Sequence, residues 1–562
     1  MLAGVVLGSA AFGQSTTRVS VDSYGLQATG GLSRLPSISA DGRFVAFESV
    51  ASTLVAGDTN GFSDIFVRDR LTGTTERVSV SSAWAQGNGA SYNPSISADG
   101  RYVAFTSEAS NLVAGDAFGW DDIFVRDRLN GTTERISVDS SGAEGNADSR
   151  YPSISADGNC VAFVSAATNF TSGDTNTYWD VFLRDRQQGT TERVNVDSAG
   201  TQADRPGSDP CVSADGRYVA FVSEATNLVA GDANGVQDVF VRDRQQATTE
   251  RVSVGSGGTE GNGESVEPAI SADGRFVAFK SYAPNLVTGD TNGYQDVFIR
   301  DRQLGTTQLV SVAPGGAQAD GSSYTPAISA DARFVAFRSG ATNLVSVDTN
   351  GVDDVFVRDR LIGTTELVSV ATGGAQGTAY SSEPSISDDG MFVAYYSPAP
   401  NLVAGDTNNL IDVFLRDRSC AGSVYSYCTA KTNSLGCVPS TGSLGVPSQS
   451  GPDNFYITAS NVLNNKSGMM LWSLASGSNP FFGGTLCVAP TIFRTPAQSS
   501  GGNPTGNDCS GTYSYHFTQL YMLQHLLAGN TTVYAQFWSR DPGFPAPYSI
   551  GLTNGLSFTI CP

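Results

Sequence analysis

Short apolar runs alternate with polar turns along most of the chain, and the pattern recurs every 58 residues. "SADGRFVAF" begins at Ser39, and related copies begin at Ser97, Ser155, Ser213, Ser271, Ser329 and Ser387. Seven copies at one interval mean one structural unit repeated seven times. In the first copy, "PSIS" (36–39) and "FVAFES" (44–49) flank the turn "ADG" (40–42). After a loop at 50–63, "DIFVRDR" (64–70) and "TERVSV" (75–80) flank "LTGT". Runs rich in Val, Ile, Phe and Thr, bounded by Gly and Asp, predict strands. Nothing in the repeat has helical periodicity.

Four strands per unit, seven times over, predict an all-β chain built as a seven-bladed β-propeller. The ends of the array predict how the ring closes. The seventh unit stops after "DVFLRDRS" (412–419), without the "GTTERVSV" strand of the other six. That missing strand stands at the N-terminus as "TTRVSVDSYG" (16–25). Residues 17–22 are therefore expected to pair as the outer strand of the last blade, because an unpaired sheet edge is a liability. Strand alternation puts "ADG" and "LTGT" on one face. The long loops, such as 50–63 and 81–93, lie on the other, where binding is expected.

"PSISADGRFVAF" resembles the repeat signature P-x-x-S-P-D-G-K-x-I-A-F of TolB-like propellers, also called PD40 or WD40-like repeats. The resemblance covers residues 16–419 and departs from the signature at Ala40, where proline is usual. It implies the fold and leaves function open. Members include periplasmic translocation components and the propellers of prolyl-oligopeptidase-like and tricorn-like proteases.

The period stops at 420. Residues 420–562 read as a Cys-containing β-rich domain, with "FTQLYMLQHLL" (517–527) as its one helix. "SYCTAKTNSLGC" resembles a C-terminal module of secreted bacterial proteins. The segment holds Cys420, Cys428, Cys437, Cys487, Cys509 and Cys561. Six cysteines in an exported chain predict disulfides, in any of 15 pairings. Residues 1–14 read as a signal peptide lacking its basic n-region, so the chain is expected outside the cytoplasm: secreted, periplasmic or at the cell surface. No later run is long and apolar enough to span a bilayer.

The net charge of −21 excludes a nucleic-acid surface, which needs clustered Lys and Arg. The recurring D-x-N-G-x-x-D offers oxygen trios: Asp58, Asn60 and Asp64; Asp232, Asn234 and Asp238; Asp290, Asn292 and Asp296; Asp348, Asn350 and Asp354. Each resembles part of a calcium loop, but no further carboxylate recurs to complete six to eight oxygens. Asx-turn chemistry is the favoured reading and calcium the alternative. In "VFVRDR", Arg68 and Arg70 share a strand face, which suits pairing with carboxylates of neighbouring blades. "SADARFVAF" predicts positive φ at Ala332.

Cys160 stands where other copies have Phe or Tyr, and Cys211 where they have Ser or Ala. A three-residue "ADG" turn would face them toward each other across blades three and four, so a Cys160–Cys211 disulfide is expected. His516 and His525 lie outside the repeats, and no G-x-S-x-G elbow follows them. The leading expectation is a non-enzymatic binding protein that engages a protein or glycan partner. The alternatives are a carbohydrate-active enzyme using channel-mouth carboxylates and a structural surface protein.

Overall fold

In a computed structural model, the described residues are 14–116, 118–418, 424–448, 453–505, 507–527 and 531–561. Residues 1–13 of the signal peptide expected at 1–14, together with Cys420 and Pro562, lie outside them. The chain divides into two compact units, one spanning Ser15–Arg418 and the other holding the C-terminal residues. No helix among the described residues is long and apolar enough to cross a membrane.

The repeat unit contains seven four-stranded antiparallel sheets. Sheet one comprises Ser33–Ile38, Phe44–Ser49, Asp64–Asp69 and Thr74–Arg77, and sheets two to six follow in chain order. Sheet seven is Ser382–Ile386, Phe392–Ser397 and Asp412–Asp417, completed by Ser15–Arg18. The N-terminal strand thus supplies the missing outer strand, starting two residues earlier than the sequence suggested, with Ser15 opposite Asp417 and Arg18 opposite Phe414.

Backbone hydrogen bonds join the "ADG" turns in a circle. Ala40 N–H donates to Ala98 O at 3.0 Å, Ala98 to Ala156, and so on through Ala330 to Asp388. Asp388 N–H then donates to Ala40 O at 3.0 Å. This explains the alanine at the position where the TolB-like signature has proline: proline has no N–H and would break one link of the circle.

The core forms between sheets. Phe47 and Phe66 stack at 5.9 Å, and the pair recurs in the other sheets, as Phe105–Phe124 and Phe337–Phe356 do. On the turn face, the second arginine of "VRDR" and its equivalents lies over an aromatic ring of the preceding sheet in six of the seven sheets, as Arg128 does over Phe44 at 4.5 Å, Arg186 over Tyr102 at 4.5 Å and Arg302 over Tyr218 at 4.6 Å. It also pairs with a glutamate there, as Arg128 does with Glu76 at 2.6 Å. The carboxylate pairing expected from sequence is present at Arg70, 4.0 Å from Asp417, whereas Arg68 donates instead to Asp22 O at 2.8 Å and Thr75 Oγ1 at 3.0 Å.

The glycine of "ADG" sits under that ring. Gly100 has φ +71°, and a Cβ there would meet Phe44 at 2.1 Å. Ala332 occupies the equivalent place with φ +58°, as its sequence context predicted. The arginine above, Arg360, lies 4.9 Å from Phe276, against 4.5–4.6 Å in the pairs just named. Ala332→Gly is expected to stabilise the fold by about 1 kcal/mol, by removing the Cβ from a left-handed backbone. A lower melting temperature for the variant would show that the buried methyl group outweighs the strain.

The Cys160–Cys211 disulfide is absent: both thiols are free. The reason is turn length. Ser39 N–H donates to Phe44 O at 2.9 Å, so the loop holds four residues rather than three. Ser37 pairs with Ala46, two residues from Phe44, and therefore shares a face with Phe44. Cys160 and Cys211 point the same way round the ring. Cys160 faces Arg244 of sheet four at 3.6 Å, and Cys211 packs toward sheet five. Burial pushes the Cys160 thiol up to about 11, which keeps it protonated. A cleft of about 410 Å³ opens beside it, lined by Asp185, Arg217 and Arg244 among others. Cys160→Phe should restore the ring that Arg244 lacks and raise stability by about 1 kcal/mol. Unchanged or lower thermal stability would mean that the cleft does not admit the ring.

The C-terminal unit is also β-rich. A seven-stranded sheet contains Val424–Tyr427, Ser467–Ser473, Thr532–Arg540 and Gly555–Thr559, and a three-stranded sheet joins Ser440–Leu444, Tyr456–Val462 and Gly511–His516. Trp472, Phe517, Phe537 and Phe558 anchor its core. The expected helix is Gln519–Gln524, capped by Thr518, whose hydroxyl accepts the Tyr521 N–H. Disulfides join Cys428 to Cys487 and Cys437 to Cys509, and Cys561 is also disulfide-bonded.

Candidate functional site

Each innermost strand of the repeat unit carries a bulge immediately before its proline. In sheet one the register shifts between Arg34 and Ser37. The pre-proline residue takes a left-handed conformation in all seven sheets. Leu35, Asn93, Tyr151, Asp209, Glu267, Thr325 and Glu383 have φ between +45° and +56°. Left-handed backbone is costly for side-chain-bearing residues and is disfavoured again before proline. Five of these residues, with their prolines, line a pocket of about 250 Å³. Arg34 lies opposite Glu48 and Ser33 opposite Ser49, which puts this level at the long-loop end of the strands.

Around this mouth the repeats stop being copies. The pre-proline residue is Leu, Asn, Tyr, Asp, Glu, Thr or Glu in turn. Residues at the next level vary as well, and they pair. Arg34 binds Glu48, and Arg150 contacts Asp121 and lies over Trp179 at 5.5 Å. Lys280 binds Glu267 at 2.5 Å, and Arg338 binds Asp353. Asn93 N–H donates to Glu48 at 3.2 Å and Thr325 N–H to Glu267 at 2.7 Å.

Asp209 and Glu383 are the acidic residues that line the pocket. Burial holds both carboxyls above the usual carboxylate range, and the neighbouring Glu267 carboxylate adds to it. Carboxyls displaced in this way, in a concave site, make it a candidate functional site. The signal was present in the sequence: the position before the repeated proline is variable inside an otherwise repeated strand.

No protein-family model and no curated relative matches this chain. Similar solved structures include a TolB protein from Agrobacterium tumefaciens, 18% identical over 50% of this chain and 81% of that one, with a TM-score of 0.32. A TolB from Acinetobacter baumannii is 15% identical over 60% of this chain and 67% of its own, with a TM-score of 0.33. An oligogalacturonate lyase in complex with manganese is 11% identical over 73% of this chain and 94% of its own, with a TM-score of 0.45.

The acidic trios lie elsewhere, in the long loops outside the mouth. Asn60 Oδ1 accepts the Phe62 N–H at 3.0 Å, an Asx turn, while its Nδ2 donates to Asp64 and to Gly87 O. Arg77 Nη1 lies 3.3 Å from both Asp58 and Asp64, and Gln86 donates to Asp58 at 2.8 Å. An arginine therefore stands where a cation would. Asn234 donates to Asp238 at 2.8 Å, and Arg251 lies 3.2 Å from Asp232 and 3.3 Å from Asp238. Sheets five and six differ: Leu309 and Leu367 replace the arginine. There Asp296 accepts from Asn292 at 2.6 Å and Asp290 from Gln318 at 3.3 Å. Asp354 accepts from Asn350 at 2.7 Å and Asp348 from Gln376 at 2.7 Å.

Of the two histidines, the His516 ring stacks on Tyr456 at 4.3 Å and His525 Nδ1 lies 2.9 Å from Tyr521 O. They are part of the packing of the C-terminal unit.

Proposed function

We propose that this is an exported, non-enzymatic binding protein whose seven-bladed propeller docks a protein or glycan partner on its long-loop face, centred on the channel mouth. The observation that carries the reading is the placement of variation. A repeated frame, joined turn to turn by backbone hydrogen bonds, holds seven residues of six types in a strained conformation, five of them around one pocket. Strain that persists at every repeat calls for a use, and the side chains it presents are where the repeats diverge. Exposed rings at the tips of the long loops extend that surface. Phe62 is 43% exposed, Trp120 43%, Tyr178 40% and Tyr294 45%. Aromatic side chains of this kind anchor interfaces. The disulfides of the C-terminal unit support an oxidising location, secreted or periplasmic.

One observation favours a second reading. Asp209 and Glu383, raised by burial, suit acid and base roles in a carbohydrate-active hydrolase or lyase. Peptide and glycan arrays, run beside polysaccharide turnover assays, separate the two. The binding reading expects saturable array hits that weaken at least tenfold in Tyr151→Ala, with no turnover. Turnover of any polysaccharide pool, abolished by Asp209→Asn or Glu383→Gln, would establish the enzyme instead.

A further inference from the structure

A cleft of about 570 Å³ opens in the C-terminal unit. Its size is that of a small-molecule site, about 300–1,000 Å³. Three segments build it: the stretch around Lys431, the hairpin of Ser476–Phe481 and Gly484–Val488, and the loop that carries Phe544 and Tyr548. Lys431 ties them together. Its Nζ donates to Phe482 O at 2.9 Å, Tyr548 O at 2.7 Å and Ile550 O at 2.8 Å. These bonds use all three ammonium hydrogens. The same Nζ lies 4.7 Å over the Phe544 ring. The lysine is buried, so it shapes the cleft and leaves no free cation for a ligand. No carboxylate lines the cleft.

The lining is instead aromatic and hydroxylic. Tyr548 is 49% exposed, and Phe544 is half-buried. The side-chain hydroxyls of Thr429, Thr432, Thr485 and Tyr548 have no hydrogen-bond partner among the described residues. The hairpin turn adds a second sign. Phe481 pairs with Gly484, so Phe482 and Gly483 form a two-residue turn with φ +48° and +80°. Asn, Asp or Gly ordinarily takes the first of these places. Phenylalanine there is strained, and at 44% exposure its burial does little to offset the strain. A Cβ at Gly483 would meet Tyr548 Cδ1 at 3.0 Å, so this turn stands against the tyrosine ring. A strained, exposed aromatic residue beside a cleft points to a binding role.

We propose that this cleft binds a neutral oligosaccharide, one sugar ring stacking on Tyr548 while its hydroxyls bond the threonine hydroxyls. A pyranose has an apolar C–H face and a polar edge, which matches a lining of rings and hydroxyls. A uronate or phosphate would need a free cation, and a basic peptide would need a carboxylate. A purely apolar ligand would leave the hydroxyls without partners. The site does not depend on the function proposed for the channel mouth.

The test is titration calorimetry on the full chain with cellotriose, maltotriose, mannotriose and N-acetylchitotriose, beside trigalacturonate and a proline-rich peptide. At least one neutral trisaccharide should bind saturably. Tyr548→Ala should weaken that binding about tenfold or more, the scale of a lost aromatic anchor. Tyr548→Phe keeps the ring and should cost about threefold at most. Tyr548 is half exposed and holds Lys431 through its backbone, so both variants should melt as wild type does. Tyr151→Ala, at the channel mouth, should leave this binding unchanged. Failure of all four neutral trisaccharides to bind would overturn the proposal. So would binding that survives Tyr548→Ala, binding lost equally in Tyr548→Phe, binding that follows Tyr151 instead, or Tyr548-dependent binding of trigalacturonate or the peptide in place of the neutral sugars.

Discussion

Removal of residues 15–20 is expected to lower the melting temperature of the repeat unit by about 5 °C and to cause aggregation. Ser15–Arg18 is the outer strand of sheet seven. Its loss exposes the edge of Asp412–Asp417, and an exposed edge recruits other chains. The deletion also removes Arg18, which lies 3.4 Å from Asp406 and 3.6 Å from Asp412, with all three side chains almost fully buried. Ser20 Oγ, which donates to Asp412 at 2.6 Å, goes with it. Stripping partners from a buried carboxylate costs about 3–5 kcal/mol. For a unit running from Ser15 to Arg418, about 1 °C per kcal/mol gives a shift of this order. An unchanged melting curve would show that the ring does not need its N-terminal strand.

The second large effect concerns sheets five and six. Leu309 and Leu367 leave two Asp pairs without an arginine, and burial pushes Asp296 and Asp354 each up to about 6. Unfolded Asp titrates near 3.9. A folded-state value above the unfolded one means that the native state holds the proton more tightly. Stability is then greatest below about pH 4 for these groups and falls as pH rises to about 6. Leu309→Arg and Leu367→Arg supply the counter-charge that Arg77 gives sheet one. Each should raise stability by about 2 kcal/mol at pH 7.5 and by almost nothing at pH 4, on the scale of 1.36 kcal/mol per pKa unit. An equal gain at both pH values would mean that the arginine acts by packing, and no gain at pH 7.5 would mean that the buried pairs carry little net charge.

The repeat architecture was legible because strand alternation, turn residues and a fixed period agree over seven copies. The N-terminal strand was legible for the same reason, as the piece missing from copy seven. The Cys160–Cys211 pairing failed on one residue of turn length. "ADG" with Arg43 forms a four-residue loop, and a shift of one residue moves a side chain to the opposite face. The mouth was legible in principle, since the residue before each proline varies. Its left-handed backbone was not, because pre-proline residues ordinarily stay extended.

The central claim is that a partner docks at the channel mouth on the long-loop face. Hydrogen–deuterium exchange of the chain, free and with an array-identified peptide or glycan, tests it most directly. Protection is expected at the long-loop ends of the inner strands, around Arg34–Leu35, Tyr92–Asn93, Arg150–Tyr151 and Ser208–Asp209, and at the loops carrying Phe62, Trp120 and Tyr178. Protection confined to the "ADG" turns, or to the unit that begins at Val424, would contradict it.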